Sequence, residues 1–215
     1  MQSIDGVEFV SVPIRSQPDQ SFLVDQDDIN VVGDWRWLLD SDGYVRRYCN
    51  KKAVLLHRLI YEKHFGSIPD DKQIDHIDQD KLNNRRSNLR LCSHAENQRN
   101  QNVYKNNKLG VKGVHIKRGK YEAQIRFDKK LIYLGLFNTL AEAAITYNIG
   151  SILIHQNFGF MNQYRVNILI PEEKRRFDEL EEMVKQRLEK SNIVFVRLTP
   201  DEILEHLSSS DELSD

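Results

Sequence analysis

Short runs of alternating apolar and polar residues dominate the first part of the chain, which predicts strands and turns before any long helix. Val7, Phe9, Val10 and Val12 suit a strand that Pro13 and Pro18 interrupt, and the acidic segment Phe22 to Ile29 suits a helical turn. Trp35 to Leu39 and Tyr44 to Cys49 read as two strands about an Asp42-Gly43 turn, with a third through Val54 to Leu56. Leu59, Ile60, Tyr61 and Phe65 predict a short helix ended by Gly66. Gln73 to Ile77 predicts a short strand. Residues 78–90 read as loop, because Asp78, Asp80, Asn83, Asn84, Ser87 and Asn88 all favour turns. Ser93, with Glu96 three positions on, forms a capping box that opens a helix over 93–100.

After a polar stretch near 101–109, three strands are predicted near 111–118, 121–127 and 131–137. Val114 and Ile116 alternate with His115 and Lys117. Ala123 and Ile125 alternate with Glu122, Gln124 and Arg126. Ile132, Leu134 and Leu136 alternate with Leu131, Tyr133 and Gly135. Such a period of two gives one packed face and one polar or aromatic face. Thr139 and Glu142 cap a helix to about His155, whose Ala143, Ala144 and Tyr147 can cover the packed face. Pro171, Glu172 and Glu173 open another helix, with Phe177, Leu180, Met183, Val184 and Leu188 on one stripe. Val194 to Arg197 suits a strand, and residues 208–215 read as a disordered acidic tail. The expected class is α+β.

Composition adds bounds. The chain has 215 residues, 40% hydrophobic and 29% charged, enough for one large domain or two small ones. No apolar run suits a membrane span and no secretory leader is seen, so an intracellular protein is expected, without a membrane role. Cys49 and Cys92 stand far apart, so neither a disulfide framework nor a four-thiolate zinc site is expected. The net charge of −1 hides an uneven distribution. Residues 1–40 carry 2 basic and 8 acidic side chains, residues 41–135 carry 21 and 10, and residues 136–215 carry 8 and 14. A basic middle between acidic ends suits a polyanion partner.

The candidate chemistry lies in that basic middle. Asp75 and His76 are followed by Leu82-Asn83-Asn84-Arg85, by Asn88, and by Asn97 on the capped helix. A carboxylate and an amide oxygen suit a hard divalent cation, and histidine suits a base working near neutrality. This stretch resembles the HNH nuclease motif, a strand–loop–helix metal finger. Leu56-His57-Arg58-Leu59-Ile60, Leu82-Asn83-Asn84-Arg85 and the Trp35/Trp37 strand with its Asp42-Gly43 turn resemble the homing-endonuclease branch of that family. The resemblance covers residues 22–100 and implies a ββα-metal (His-Me finger) nuclease domain there. By position it makes His76 the general base, Asn88 the residue holding the His76 loop, and Asp75 and Asn97 the ligands of Mg²⁺ or Mn²⁺. Some relatives carry paired Cys-x-x-Cys zinc knuckles, but with Cys49 and Cys92 far apart no structural zinc is expected here. Arg85, Arg86, Arg90 and Arg99 are candidate phosphate contacts, while His57 is read as a packing residue.

Residues 111–162 resemble the DNA-binding domain of plant Apetala/ethylene-response-factor proteins. The marks are Lys112-Gly113-Val114-His115, Tyr121 to Arg126, Tyr133 to Phe137, Thr139 to Ala144, Tyr147 and Gly159-Phe160-Met161-Asn162. That resemblance implies a three-stranded antiparallel sheet packed on one helix. It places Lys112, His115, Lys117, Gln124, Arg126 and Tyr133 where the family contacts DNA. Family arginines are replaced at Lys112, His115, Lys117 and Leu131, so the resemblance does not carry over which base sequence is read, because Arg gives bidentate contacts that Lys does not. The expected layout is 1–21 unassigned, 22–100 nuclease, 101–110 linker, 111–162 DNA clamp, 163–207 helical extension and 208–215 tail. The expected activity is metal-dependent hydrolysis of double-stranded DNA by a monomer. The rival readings are a DNA-binding regulator on an inactive nuclease scaffold and an RNA-binding accessory protein.

Overall fold

The computed structural model describes residues 2–4, 7–101, 103, 107–164 and 170–209. The chain divides into two compact units, residues 1–98 and 99–215. Both mix small antiparallel sheets with helices, so the class is α+β.

The first unit opens with strands β1 (Gln2–Ile4), β2 (Val7–Ile14) and β3 (Gln17–Asp25), paired in that order. Pro13 and Pro18 do not break this hairpin. β1 pairs only with Val7 to Phe9, so Pro13 lies where β2 has a single neighbour and its missing N–H leaves no ladder bond unmade. The helical turn expected over 22–29 begins only at Gln26, because Phe22 and Val24 alternate into the core as the end of β3. Helix α1 (Ile29–Val32) follows. Of the strand expected over 35–39, only Leu38–Leu39 (β4) pairs. The Trp37 indole instead donates to the Val32 carbonyl at 3.0 Å. β5 (Val45–Cys49) and β6 (Lys52–Leu55) complete a sheet of order β4-β5-β6, and α2 (Leu56–Phe65) buries Leu56, His57 and Ile60. The core joins Phe22, Val24, Trp37, Val45, Leu56 and Ile60 to Ile74 and Leu89.

Those last two residues belong to β7 (Lys72–His76) and β8 (Leu89–Ser93), an antiparallel pair followed directly by α3 (His94–Asn100). The loop expected through residue 90 therefore ends earlier. Leu89 and Cys92 are buried, and Leu89 and Leu91 pair with His76 and Ile74. The capping box forms as expected: the Ser93 hydroxyl accepts from the Glu96 N–H at 3.3 Å, and the Ser93 N–H donates to the Glu96 carboxylate at 2.7 Å.

The second unit contains β9 (Val114–Lys117), β10 (Lys120–Phe127) and β11 (Lys130–Phe137) in the order β11-β10-β9, all antiparallel. Helix α4 (Leu140–His155) packs on one face and buries Ala143, Ala144 and Tyr147 with Val114, Ala123, Ile125, Ile132 and Leu134. Thr139 caps it, accepting from the Glu142 N–H at 3.2 Å. Two asparagines close the module. Asn162 accepts from the Lys112 N–H at 2.7 Å and donates to the Lys112 carbonyl at 3.1 Å. Asn148 of α4 makes the same reciprocal pair with the Asn162 backbone, both at 2.8 Å. Residue 113 must be glycine for two reasons. Its φ is +71°, and a Cβ there would sit 2.0 Å from the Tyr147 ring.

Helix α5 (Pro171–Lys190) adds Phe177, Leu180, Val184 and Leu188 to the same core, and α6 (Pro200–Ser209) adds Ile203 and Leu204. α6 extends into the segment read as a tail; residues 210–215 lie outside the described ones. Its start had a sequence signal: Thr199 and Glu202 form a capping box around Pro200. Residues 194–197 are not a strand. Among the described residues the Val196 N–H bonds to the Leu153 carbonyl of α4, a helix, and 194–197 pair with no strand. Among the described residues no helix is long and apolar enough to cross a membrane.

Two stability tests follow. Gly113→Ala should unfold the second unit at lower denaturant than wild type, by more than the ~1 kcal/mol of an ordinary glycine substitution, in urea titrations of the whole chain. His155 is buried and stacks on Phe127 with centroids 5.9 Å apart. Burial, then the Arg99 charge, push its imidazole down to about 4. The unfolded chain therefore binds a proton that the folded one does not between pH ~6.5 and ~4. Stability should fall across that window by up to about 3 kcal/mol, and His155→Phe should flatten this limb of the pH–stability curve.

Candidate active site

The site grows from the β7–β8 pair. Asp75 and His76 are the last two residues of β7, and the ladder sets Asp75 opposite Arg90 and His76 opposite Leu89. Both are almost fully buried, at 6% and 4% exposure. Asp75 also acts electrostatically on His76 and Tyr44, so the carboxylate, the imidazole and the phenol share one neighbourhood.

Asn88, 2% exposed, anchors the loop after His76 with both ends of its amide. Its Oδ1 accepts from the Asp78 N–H at 3.0 Å. Its Nδ2 donates to the Asp78 carboxylate at 2.8 Å and to the Asn83 carbonyl at 2.7 Å. The Asn88 carbonyl accepts from the Ile77 N–H at 2.9 Å. Asn88 thus acts on the loop and is a positioning residue. Asn97 lies on α3, and its Nδ2 donates to Gln73 Oε1 at 2.9 Å. Gln73 and Asp75 alternate onto the same side of β7, so Asn97 lies against the side that carries Asp75.

Rings wall the imidazole of His76. His57 meets it nearly edge-on, with centroids 5.1 Å apart at 77°, and Tyr44 lies 5.9 Å away. Burial pushes His76 below its ordinary value, opposed by its hydrogen bond to Asn84 and the negative charges of Asp78, Asp75 and Asp80. A neutral imidazole is the form that accepts a proton. Burial and the neighbouring His76 push His57, buried on α2, down to about 3, so it is a neutral packing group.

The basic residues are disposed differently from the sequence expectation. Arg85 is buried and its Nε donates to Asp25 at 3.1 Å, so it joins the loop to β3. Arg86 pairs with the same carboxylate at 3.0 Å. Arg90 donates from Nε at 2.9 Å and Nη2 at 2.6 Å to Asp75 Oδ2, which makes it part of the site. Asp75 and Asn97 are hard oxygen donors and suit a small divalent ion completed by water and phosphate oxygens. Among the described residues no group of three or more His, Cys, Asp or Glu side chains gathers as a metal site. Tyr44 was read only as the start of a strand and Asn84 only as part of the Leu82-Asn83-Asn84-Arg85 stretch; their places beside His76 come from tertiary contact.

In the second unit, β10 turns Glu122, Gln124 and Arg126 to the face away from α4, opposite His115 of β9 and Tyr133 and Leu131 of β11. His115, Arg126 and Tyr133 are exposed. Lys117 and Gln124 both donate to the Glu122 carboxylate at the centre of this face, which holds that carboxyl below its ordinary value. Lys112 does not belong to the face. Its Nζ donates to the carbonyls of Arg99 and Gln101 at 2.8 and 2.5 Å, and burial pushes the ammonium down to about 8. Arg187 of α5, unread in the sequence, lies over the Tyr133 ring at 5.3 Å and adds a cation there.

Comparison with known proteins agrees with the first of these sites. The HNH endonuclease family matches residues 54–99. A protein of Acanthamoeba polyphaga mimivirus described as an uncharacterized HNH endonuclease is 34% identical over 147 residues, covering 68% of this chain and 76% of that protein. Protein 3.8 of Escherichia phage T7 is 41% identical over 63 residues, covering 29% of this chain and 52% of that protein. No solved structure matches. With its strand–strand–helix unit, its Asp75-His76 pair and a relative aligned over most of its length, the chain belongs to the HNH endonuclease family.

Proposed function

We propose that the chain hydrolyses phosphodiester bonds of duplex DNA at the β7–β8–α3 site, held on its substrate by the outer face of the second unit's sheet. The observation that carries this reading is the buried Asp75-His76 pair, with Asn97 on the Asp75 side of β7 and a loop anchored by Asn88. A water oxygen bonds to phosphorus as the bond to the leaving oxygen breaks, and the water's proton passes to the His76 imidazole. A divalent ion such as Mg²⁺ or Mn²⁺, held by Asp75 and Asn97, would supply charge stabilisation at the leaving oxygen. Asn88 fixes the loop that follows the base, and Arg90 holds one oxygen of Asp75 and so orients the carboxylate.

The DNA-clamp reading of the second unit rests on its exposed His115 and Arg126 and on Tyr133 with Arg187 above it. Lys117 and Gln124 contribute only if a phosphate or base edge replaces Glu122 as their partner. Lys112 and Arg85 are structural in this proposal. Phosphate contacts make the affinity fall steeply with salt.

His76→Ala and Asn97→Ala should each lower plasmid cleavage by at least ~100-fold in Mg²⁺ while leaving DNA binding in gel-shift assays within about twofold. EDTA should abolish cleavage by wild type. Wild-type binding with no cleavage on plasmid or genomic DNA, with Mg²⁺ or Mn²⁺, would point instead to the regulator reading. Separately, Arg126→Ala should weaken duplex binding at moderate salt and reduce the slope of affinity against salt by about one ion. An unchanged slope would remove the sheet from the DNA interface.

A further inference from the structure

The base needs one ring nitrogen protonated and the other ready to accept, and a neutral imidazole in water does not hold to one tautomer. The loop between β7 and β8 supplies a group that selects. Asn84 is fully buried, and its Oδ1 lies 3.4 Å from His76 Nε2. Which end of an amide faces a partner is settled by its other bonds. Here the opposite end of Asn84 meets two carbonyls, Leu82 at 3.1 Å and Lys81 at 3.3 Å, and only the NH₂ end can donate to them. The oxygen must therefore face the imidazole.

The backbone of Asn84 is fixed as well. Its N–H donates to the Leu23 carbonyl at 2.9 Å, and Leu23 N–H donates to the Leu82 carbonyl at 2.8 Å, so the loop is laced to β3. An oxygen held against Nε2 favours the tautomer with the proton on Nε2. The separation is long for a strong hydrogen bond, as is usual in a site without substrate. His57 and Tyr44 stand against the ring and oppose the half-turn that would exchange a nitrogen for a carbon at Asn84.

We propose that Asn84 is a positioning residue that holds His76 as the Nε2–H tautomer, so that Nδ1 is the atom that takes the proton from water. The claim about Nδ1 as base rests on the nuclease reading; the claim about the tautomer does not. The test is nitrogen-15 NMR of the ring nitrogens of His76 in the metal-free full chain, alongside steady-state cleavage in Mg²⁺. Wild type should show a protonated Nε2 and a bare Nδ1. Asn84→Ala should show exchange between tautomers, and kcat should fall on the order of 10-fold with KM unchanged. A wild-type Nδ1–H tautomer would overturn the proposal without any variant. So would a folded Asn84→Ala chain that keeps the Nε2–H tautomer and wild-type kcat. Failure of the nuclease reading is seen separately, as a wild-type chain that cuts no DNA while the spectrum still reports the tautomer.

Discussion

The loop between β7 and β8 depends on one buried side chain, Asn88. Three of its amide bonds and one of its carbonyl bonds converge on residues 77, 78 and 83. A buried amide with its partners met is stable, and the same amide with one partner lost costs more than a typical hydrogen bond contributes. The loop therefore has one low-energy path, and Asn84 and His76 inherit their places from it. The ladder that sets His76 opposite Leu89 and Asp75 opposite Arg90 starts from the residue next to Asn88.

Charge around the site is organised on the same principle of paired partners. Asp25 binds Arg85 and Arg86, and Asp28 binds Lys63 at 2.8 Å and His64 at 2.6 Å. These pairs tie the end of β3 and the turn after it to the loop and to α2. Part of the positive charge that looks like a DNA footprint in the sequence, Lys63, Arg85 and Arg86, is thus paired within the first unit.

The second unit follows the same logic with apolar groups at its centre. The β9–β10–β11 sheet was readable from period-two alternation against the face that α4 covers, except at the end of β11. There a bulge opposite Ala123 and Gln124 turns Leu136 outward and Gly135 and Phe137 inward, against the expectation that Leu136 would share the face of Ile132 and Leu134. The two asparagine pairs, Asn162 with Lys112 and Asn148 with Asn162, were not readable. They join positions 50 and 14 residues apart, and no local pattern marks a residue whose partners lie on other elements.

The sequence by itself determined the α+β class, the capped starts of α3 and α4, the alternating strands of the second unit, and, through its resemblance, which four residues to look for: Asp75, His76, Asn88 and Asn97. Those features depend on local sterics and short spacings. Tertiary structure alone decided that β8 begins at Leu89, that β3 runs on through Phe22 to Asp25, and that residues 194–197 find no strand partner among the described residues. It also decided that Arg85 and Lys112 point inward and that Arg90 belongs to Asp75. The reason is the same in each case. A strand, a buried ion pair or an oriented imidazole is completed by a group distant in sequence, and only folding brings that group within reach.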